Sequence, residues 1–112
     1  MSDAGQQAED VALAYLERQG MKLLERNYRC RLGEIDLVMR EGSALVFVEV
    51  RLRTSSRFGG ALESITAFKR RRLLSAAKHY MSARGALAEC RFDAVLLDGD
   101  GKLCWLRDAI SE

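Results

Sequence analysis

The stretch Gly33-Glu34-Ile35-Asp36-Leu37-Val38, followed after a short polar turn by Leu45-Val46-Phe47-Val48-Glu49-Val50-Arg51, decides the fold of this chain. Both segments have the apolar character of strands, and each embeds an acid where water compensates charge poorly. An ionised carboxylate in such a setting requires a cation or several donors, so each acid directs attention to its partner. Residues two apart in a strand point to one face, which puts Glu49 and Arg51 together and turns Val48 and Val50 the other way. Asp36 joins them if its strand pairs with the second in a register that brings its side chain to that face. Two acids and one cation would then stand above a sheet.

Working outward, Met21 to Tyr28 reads as a strand, Cys30 to Gly33 as a tight connection, and Glu34 to Arg40 as a second strand. Glu41-Gly42-Ser43 supplies the next turn, and Ala44 to Arg51 has the near-continuous apolar run of a central strand covered on both faces. A helix is expected before this meander, from Ala4 to Gln19, with Ala8, Val11, Ala12, Tyr15 and Leu16 at helical spacing and Gly20 as its stop. Residues 52 to 60 are polar, basic and glycine-ended, and read as a mobile loop. A long helix follows from Thr66 as N-cap to Arg84, with Leu73, Leu74, Ala77, Tyr80 and Met81 toward the core and Gly85 beyond its end. Arg91 to Leu97 and Lys102 to Leu106 read as two further strands, joined by Asp98-Gly99-Asp100-Gly101 as a hairpin turn. The order α-β-β-β-α-β-β is that of an α/β domain spanning residues 1 to 112, in which helices flank a mixed central sheet. The fourth strand, reached through a helix, should lie parallel to the third.

With 112 residues, 48% of them apolar and 30% charged, the composition is that of one globular domain with a modest core. The opening residues have no basic stretch leading into an apolar one, and no run approaches the roughly 18 apolar residues of a membrane span. The expected location is therefore the cytoplasm, with no membrane partner. Cys30, Cys90 and Cys104 are odd in number and lack close ligand spacing, so they are expected to be buried free thiols rather than a disulfide framework or a zinc site. Net charge is only +2, but residues 51 to 78 hold eight Lys or Arg against a single acid, Glu63, so the positive charge is gathered into one stretch. Such a patch is the footprint of a phosphate-rich partner or, more plainly, a solvated helix face.

Two acids on adjacent strands, a neighbouring cation and a basic approach surface suit metal-dependent phosphodiester hydrolysis. Mg²⁺, or Mn²⁺ in its place, takes hard oxygen ligands and is commonly gripped by one or two carboxylates. Asp36 and Glu49 are the candidate ligands, with the Val50 carbonyl as a further donor. Arg53 and Arg57 are candidates to clamp a nucleic-acid backbone, with Phe58 either stacking on a base or plugging the core. Lys69, Arg70 and Arg71 are further candidates, although consecutive helical residues fan out and two at most of Lys69 to Arg72 can meet one phosphate track. Glu34 shares parity with Asp36 as an accessory acid or a local charge balance. Glu9 reads locally as a first-turn acid favoured by the helix dipole.

The chain resembles the YraN-like family of small bacterial proteins, within the restriction-endonuclease-like superfamily that includes archaeal Holliday junction resolvases. The resemblance covers nearly the whole chain. It rests on Ala8-Glu9-Asp10 with Ala14-Tyr15-Leu16, Arg26-Asn27-Tyr28-Arg29, Gly33-Glu34-Ile35-Asp36-Leu37, Val46-Phe47-Val48-Glu49-Val50, Arg57-Phe58-Gly59, Lys69-Arg70-Arg71 and Phe92-Asp93. It implies a restriction-endonuclease-like fold and a Mg²⁺-dependent endonuclease that binds, and cuts, branched or damaged DNA in recombination or repair. By position it puts the metal-binding aspartate on Asp36, the second acid on Glu49 and the helix acid on Glu9, and by analogy it implies a homodimer. One departure stands out: the superfamily has lysine two residues after the second acid, where this chain has Arg51. Arginine stays protonated, so Arg51 can orient water or stabilise phosphate charge but cannot act as a general base. The alternative is accordingly a noncatalytic nucleic-acid-binding module with a degenerate site, or a plain Glu49–Arg51 ion pair.

Overall fold

In a computed structural model the structure describes residues 3–52, 65–85 and 89–111. Its elements are α1 (Asp3–Arg18), β1 (Lys22–Cys30), β2 (Gly33–Glu41), β3 (Ala44–Leu52), α2 (Ala67–Arg84), β4 (Cys90–Leu97) and β5 (Leu103–Leu106). They follow the expected α-β-β-β-α-β-β order.

Five strands form one sheet in the order β1-β2-β3-β4-β5. β1, β2 and β3 make an antiparallel meander closed by two-residue turns, with Cys30 paired to Gly33 and Glu41 to Ala44. Gly42, at φ 60°, takes the left-handed conformation that the second turn requires. β4 lies parallel to β3 from Leu45↔Cys90 to Leu52↔Leu97, because the chain returns through α2, and β5 adds an antiparallel edge.

Each face of the sheet carries its own apolar layer. Ala8, Ala12 and Leu16 of α1 pack with Met21, Leu37, Met39, Val46, Val48, Val95 and Leu97. On the opposite face Leu73, Ala76, Ala77 and Tyr80 of α2 pack with Tyr28, Ile35, Val38, Phe47, Ala94 and Leu96. β3 is thus buried on both sides, as its apolar run requires. The α1 stripe is narrower than the spacing suggested: Val11 is 49% exposed, because the contact face centres on Ala8, Ala12 and Leu16 at i, i+4, i+8 and Val11 lies off that line. On α2 the half-buried Leu74 yields its place to Ala76. The thiols are free, but Cys90 is exposed and Cys30 and Cys104 only half-buried, since Cys30 and Cys104 lie on the two edge strands and Cys90 opens β4.

Polar contacts pin the layers. Thr66 caps α2 by accepting the Lys69 amide at 3.2 Å, and Gly85 closes the helix at φ 61°. Tyr28 Oη lies 2.5 Å from His79 Nδ1, tying β1 to α2. The fully buried Asp93 accepts from Arg91 Nε at 2.8 Å, Arg91 Nη2 at 3.0 Å, Trp105 Nε1 at 2.9 Å and the Asp108 amide at 2.9 Å. That single carboxylate joins β4 to β5 and to the turn beyond it. Among the described residues no helix is long and apolar enough to cross a membrane.

Candidate active site

The ladder between β2 and β3 runs as far as Leu37↔Val48, and one step further it sets Asp36 across from Glu49. Phe47 packs against Tyr80 of α2, so Glu49 and Arg51, two and four residues on, emerge on the α2 side of the sheet. They do so at the carboxyl end of β3. The amino-terminal turns of α2 overhang that end, with Phe68, Lys69 and Arg72 set against Glu49, Val50 and Arg51. The result is a cavity of about 280 Å³ lined by Glu34, Asp36, Glu49, Val50, Arg51, Phe68, Lys69 and Arg72.

Gly33 sets how closely α2 approaches. A Cβ at this position would fall 2.1 Å from the Arg72 carbonyl oxygen and 2.7 Å from its carbon. Only glycine lets the helix backbone rest directly on the start of β2, which lowers Phe68, Lys69 and Arg72 toward the two acids.

The acids form one unit. The Val50 amide donates to Asp36 Oδ2 at 2.8 Å, and the Asp36 and Glu49 carboxyls hydrogen-bond each other. Burial first, and then the negative charge of Glu49, push the Asp36 carboxyl up to about 8, while the Val50 amide pulls it partly back. Burial also raises Glu49, against the hydrogen bond from Asp36 and the positive charges of Arg51 and Lys69. Burial of the two acids side by side thus favours retention of a proton by the pair. Arg51 Nη1 lies 4.0 Å from Glu49 Oε2. A proton held between two carboxylates marks a place where a cation is wanted, and the donor set of hard oxygens fits Mg²⁺ or Mn²⁺.

The sequence-derived residues divide into those that converge and those that do not. Asp36, Glu49 and Arg51 meet, and Lys69 faces them. Arg72, adjacent to the expected cluster, joins the cavity in place of Arg70 and Arg71. Arg70 Nη1 instead donates to the Ile65 carbonyl at 3.0 Å, holding the entry of α2, and Arg71 points to solvent outside the lining. Glu34 lies at the mouth and pairs with Arg29 at 3.3 Å. Glu9 is 5% exposed and outside the cavity lining. Arg26 Nε holds it at 3.5 Å while Arg26 Nη2 reaches Asp10 at 2.6 Å. Burial raises its carboxyl, as does the charge of Asp36, so the two acids sense each other across the sheet. Arg53, Arg57 and Phe58 lie outside the described residues. Among the described residues no three acids, histidines or cysteines converge as a fuller metal cluster. Phe68 was not suggested by sequence reasoning; the available signal was an aromatic residue at the second helical position, one step off the buried stripe.

Residues 8–97 match the sequence model of the Uncharacterised protein family UPF0102. The chain is 52% identical to a UPF0102 protein of Nitrosomonas europaea, over 100% of this chain and 99% of that one. It is 51% identical to one from Methylobacillus flagellatus over 99% of each chain, and 54% identical to one from Dechloromonas aromatica over 96% of this chain and 88% of that one.

Proposed function

The chain belongs to the UPF0102 family, and from that premise and the geometry of its cavity we propose that it is a divalent-metal-dependent nuclease acting on DNA. The observation that carries this reading is the placement of the Asp36 and Glu49 carboxyls side by side in one cavity, opposite the cationic wall of Lys69 and Arg72. Two acids buried side by side are costly to the fold, and apolar residues in their place would be cheaper. Asp36 and Glu49 would hold the ion, and Mg²⁺ or Mn²⁺ bound there supplies Lewis-acid polarisation of the scissile phosphate.

The protein's own groups do the rest. Lys69 and Arg72 neutralise the incoming phosphate and fix its position. Arg51, held beside Glu49, donates hydrogen bonds to phosphate oxygen or to the attacking water. It remains protonated throughout, so no proton transfer is assigned to it. Asp36 and Glu49 would act as ligands in their deprotonated forms, so the proton that burial favours on the pair would have to leave when an ion bound.

Cleavage of end-labelled DNA with Mg²⁺ or Mn²⁺ tests the reading, with Asp36→Asn and Glu49→Gln prepared identically. Cleavage in the parent and its loss in both variants is the expected result; an unaffected rate in either variant refutes the assignment. A second reading, a noncatalytic DNA-binding module, draws on Arg51 standing where the superfamily has lysine. Salt-sensitive binding without cleavage, and cleavage restored by Arg51→Lys, would favour it.

A further inference from the structure

We propose that Phe68 is a stacking platform for an unpaired base, so that the cavity takes a DNA strand with at least one base out of the duplex stack. The inference rests on the nuclease reading above and specifies its substrate. Phe68 is 61% exposed, whereas the other described Phe, Tyr and Trp rings are buried or half-buried. Phe47 stacks on Phe92 and meets Tyr80, Tyr28 meets Tyr80, and Tyr15 meets Trp105. Phe68 lies beside a cation, the Arg72 guanidinium, whose central carbon is 5.7 Å from the ring centroid.

Among the described residues Phe68 belongs to neither apolar core cluster. The buried stripe of α2 begins at Leu73, and Phe68 has no strong helix propensity to contribute. It nonetheless lines the same cavity as the acid pair. The surrounding charge is equally unhelpful to folding: the first turn of α2 contains no acid, and Lys69 to Arg72 oppose the helix dipole. A phosphate between Lys69 and Arg72 relieves that charge, and its attached base is then brought to the Phe68 ring. Every base has a π-face, so the contact is sequence-tolerant, but bases inside an intact duplex are already stacked and unavailable to it. A fully paired four-way junction lacks such a base as well. Single strands, flaps and gaps supply one.

The test uses the full chain with Ca²⁺ in place of Mg²⁺, so that binding is read without cleavage. The probes are a single strand carrying 2-aminopurine, the same strand as a perfect duplex, a flapped duplex and a fully paired four-way junction. The parent should bind single strand and flap about tenfold more tightly than duplex, with the 2-aminopurine quenched on binding. Phe68→Ala should lose that preference and the quenching while keeping its thermal midpoint, and Phe68→Trp should restore both. Equal affinity of the parent for perfect duplex and single strand, or single-strand binding unchanged in Phe68→Ala, overturns the inference and leaves the nuclease reading standing. Failure to bind any of the four probes overturns both. Phe68-dependent binding without Mg²⁺-dependent cleavage supports the platform and sinks only the nuclease reading.

Discussion

Replacing Asp36 by asparagine should make the protein more stable. The wild-type carboxyl is held protonated up to about 8 in the fold, whereas in the unfolded chain it ionises near 3.8. The folded state therefore binds more protons than the unfolded one between these values, and wild-type stability falls as pH rises from about 4 toward about 8. At pH 7 roughly three decades of proton affinity separate the two states, equivalent to about 4 kcal/mol at 1.36 kcal/mol per decade. Asp36 is half-buried rather than fully enclosed, and water relaxing around the pair reduces this to about 2 kcal/mol. The asparagine side chain keeps the useful contacts: its carbonyl accepts from the Val50 amide, and its NH₂ replaces the proton donated to Glu49.

Urea denaturation of both proteins at pH 5 and pH 8 measures the effect through the midpoint at constant slope. The variant should exceed the parent at both values, with the larger margin at pH 8. In parallel, Mn²⁺ should raise the thermal midpoint of the parent and leave that of Asp36→Asn unchanged, since the variant lacks one ligand. A variant less stable than the parent at pH 8, or a margin independent of pH, would refute the shared-proton account of the pair.

Three further outcomes follow from the same geometry. Mn²⁺ affinity of the parent should rise about tenfold per pH unit below about 8 and then level off, because each ion displaces the proton on Asp36; calorimetry in buffers of different ionisation enthalpy would detect the released proton, and a flat profile would count against it. Gly33→Ala should destabilise the fold by about 1–3 kcal/mol and abolish cleavage even under conditions where it stays folded, since the clash with the Arg72 backbone is relieved only by lifting α2 away from the acids. Asp93→Ala should cost about 3–5 kcal/mol in urea unfolding by stranding Arg91, Trp105 Nε1 and the Asp108 amide, while cleavage at low temperature persists because this network lies outside the cavity.

The element order was legible because its signals are local and mutually consistent: short apolar runs in β2 and β3, glycine just beyond the carboxyl end of each helix, and a threonine cap before Ala67. The parallel return of β4 followed from the intervening helix. Asp36, Glu49 and Arg51 could be found because strand parity fixes their face once the pairing is antiparallel. What sequence did not disclose depends on helix rotation and on contacts distant in the chain. Whether Arg70 or Arg72 meets the acids is a matter of helix rotation, settled by the seating of α2 on Gly33 and by Arg70 bonding the Ile65 carbonyl. Glu9, expected from the resemblance to reach the site, lies beside Arg26 and outside the cavity lining, yet near enough for the Asp36 charge to raise its carboxyl. No pattern within α1 announces that partner, since Arg26 lies on β1.

Four features of this chain run against the stability of the fold: a protonated acid pair, basic residues against the start of a helix dipole, an aromatic ring left in solvent, and a helix backbone pressed onto a strand. The structure places all four around one cavity. Independent accidents would be scattered, and the acid pair, the basic residues and the exposed ring could each be removed by a single stabilising substitution, whereas the close approach at Gly33 could not. Their convergence is understood if a dication and a phosphodiester complete the arrangement, because the ion replaces the shared proton, the phosphate meets Lys69 and Arg72, and the base covers Phe68. Gly33 acquires its role in the same way, as the residue that allows the two halves of the site to meet. On this argument the four features should be relieved together: with Mn²⁺ and a single strand present, the stability advantage of Asp36→Asn over the parent should disappear, and an advantage that survives saturation with both would separate the acid pair from the binding surface.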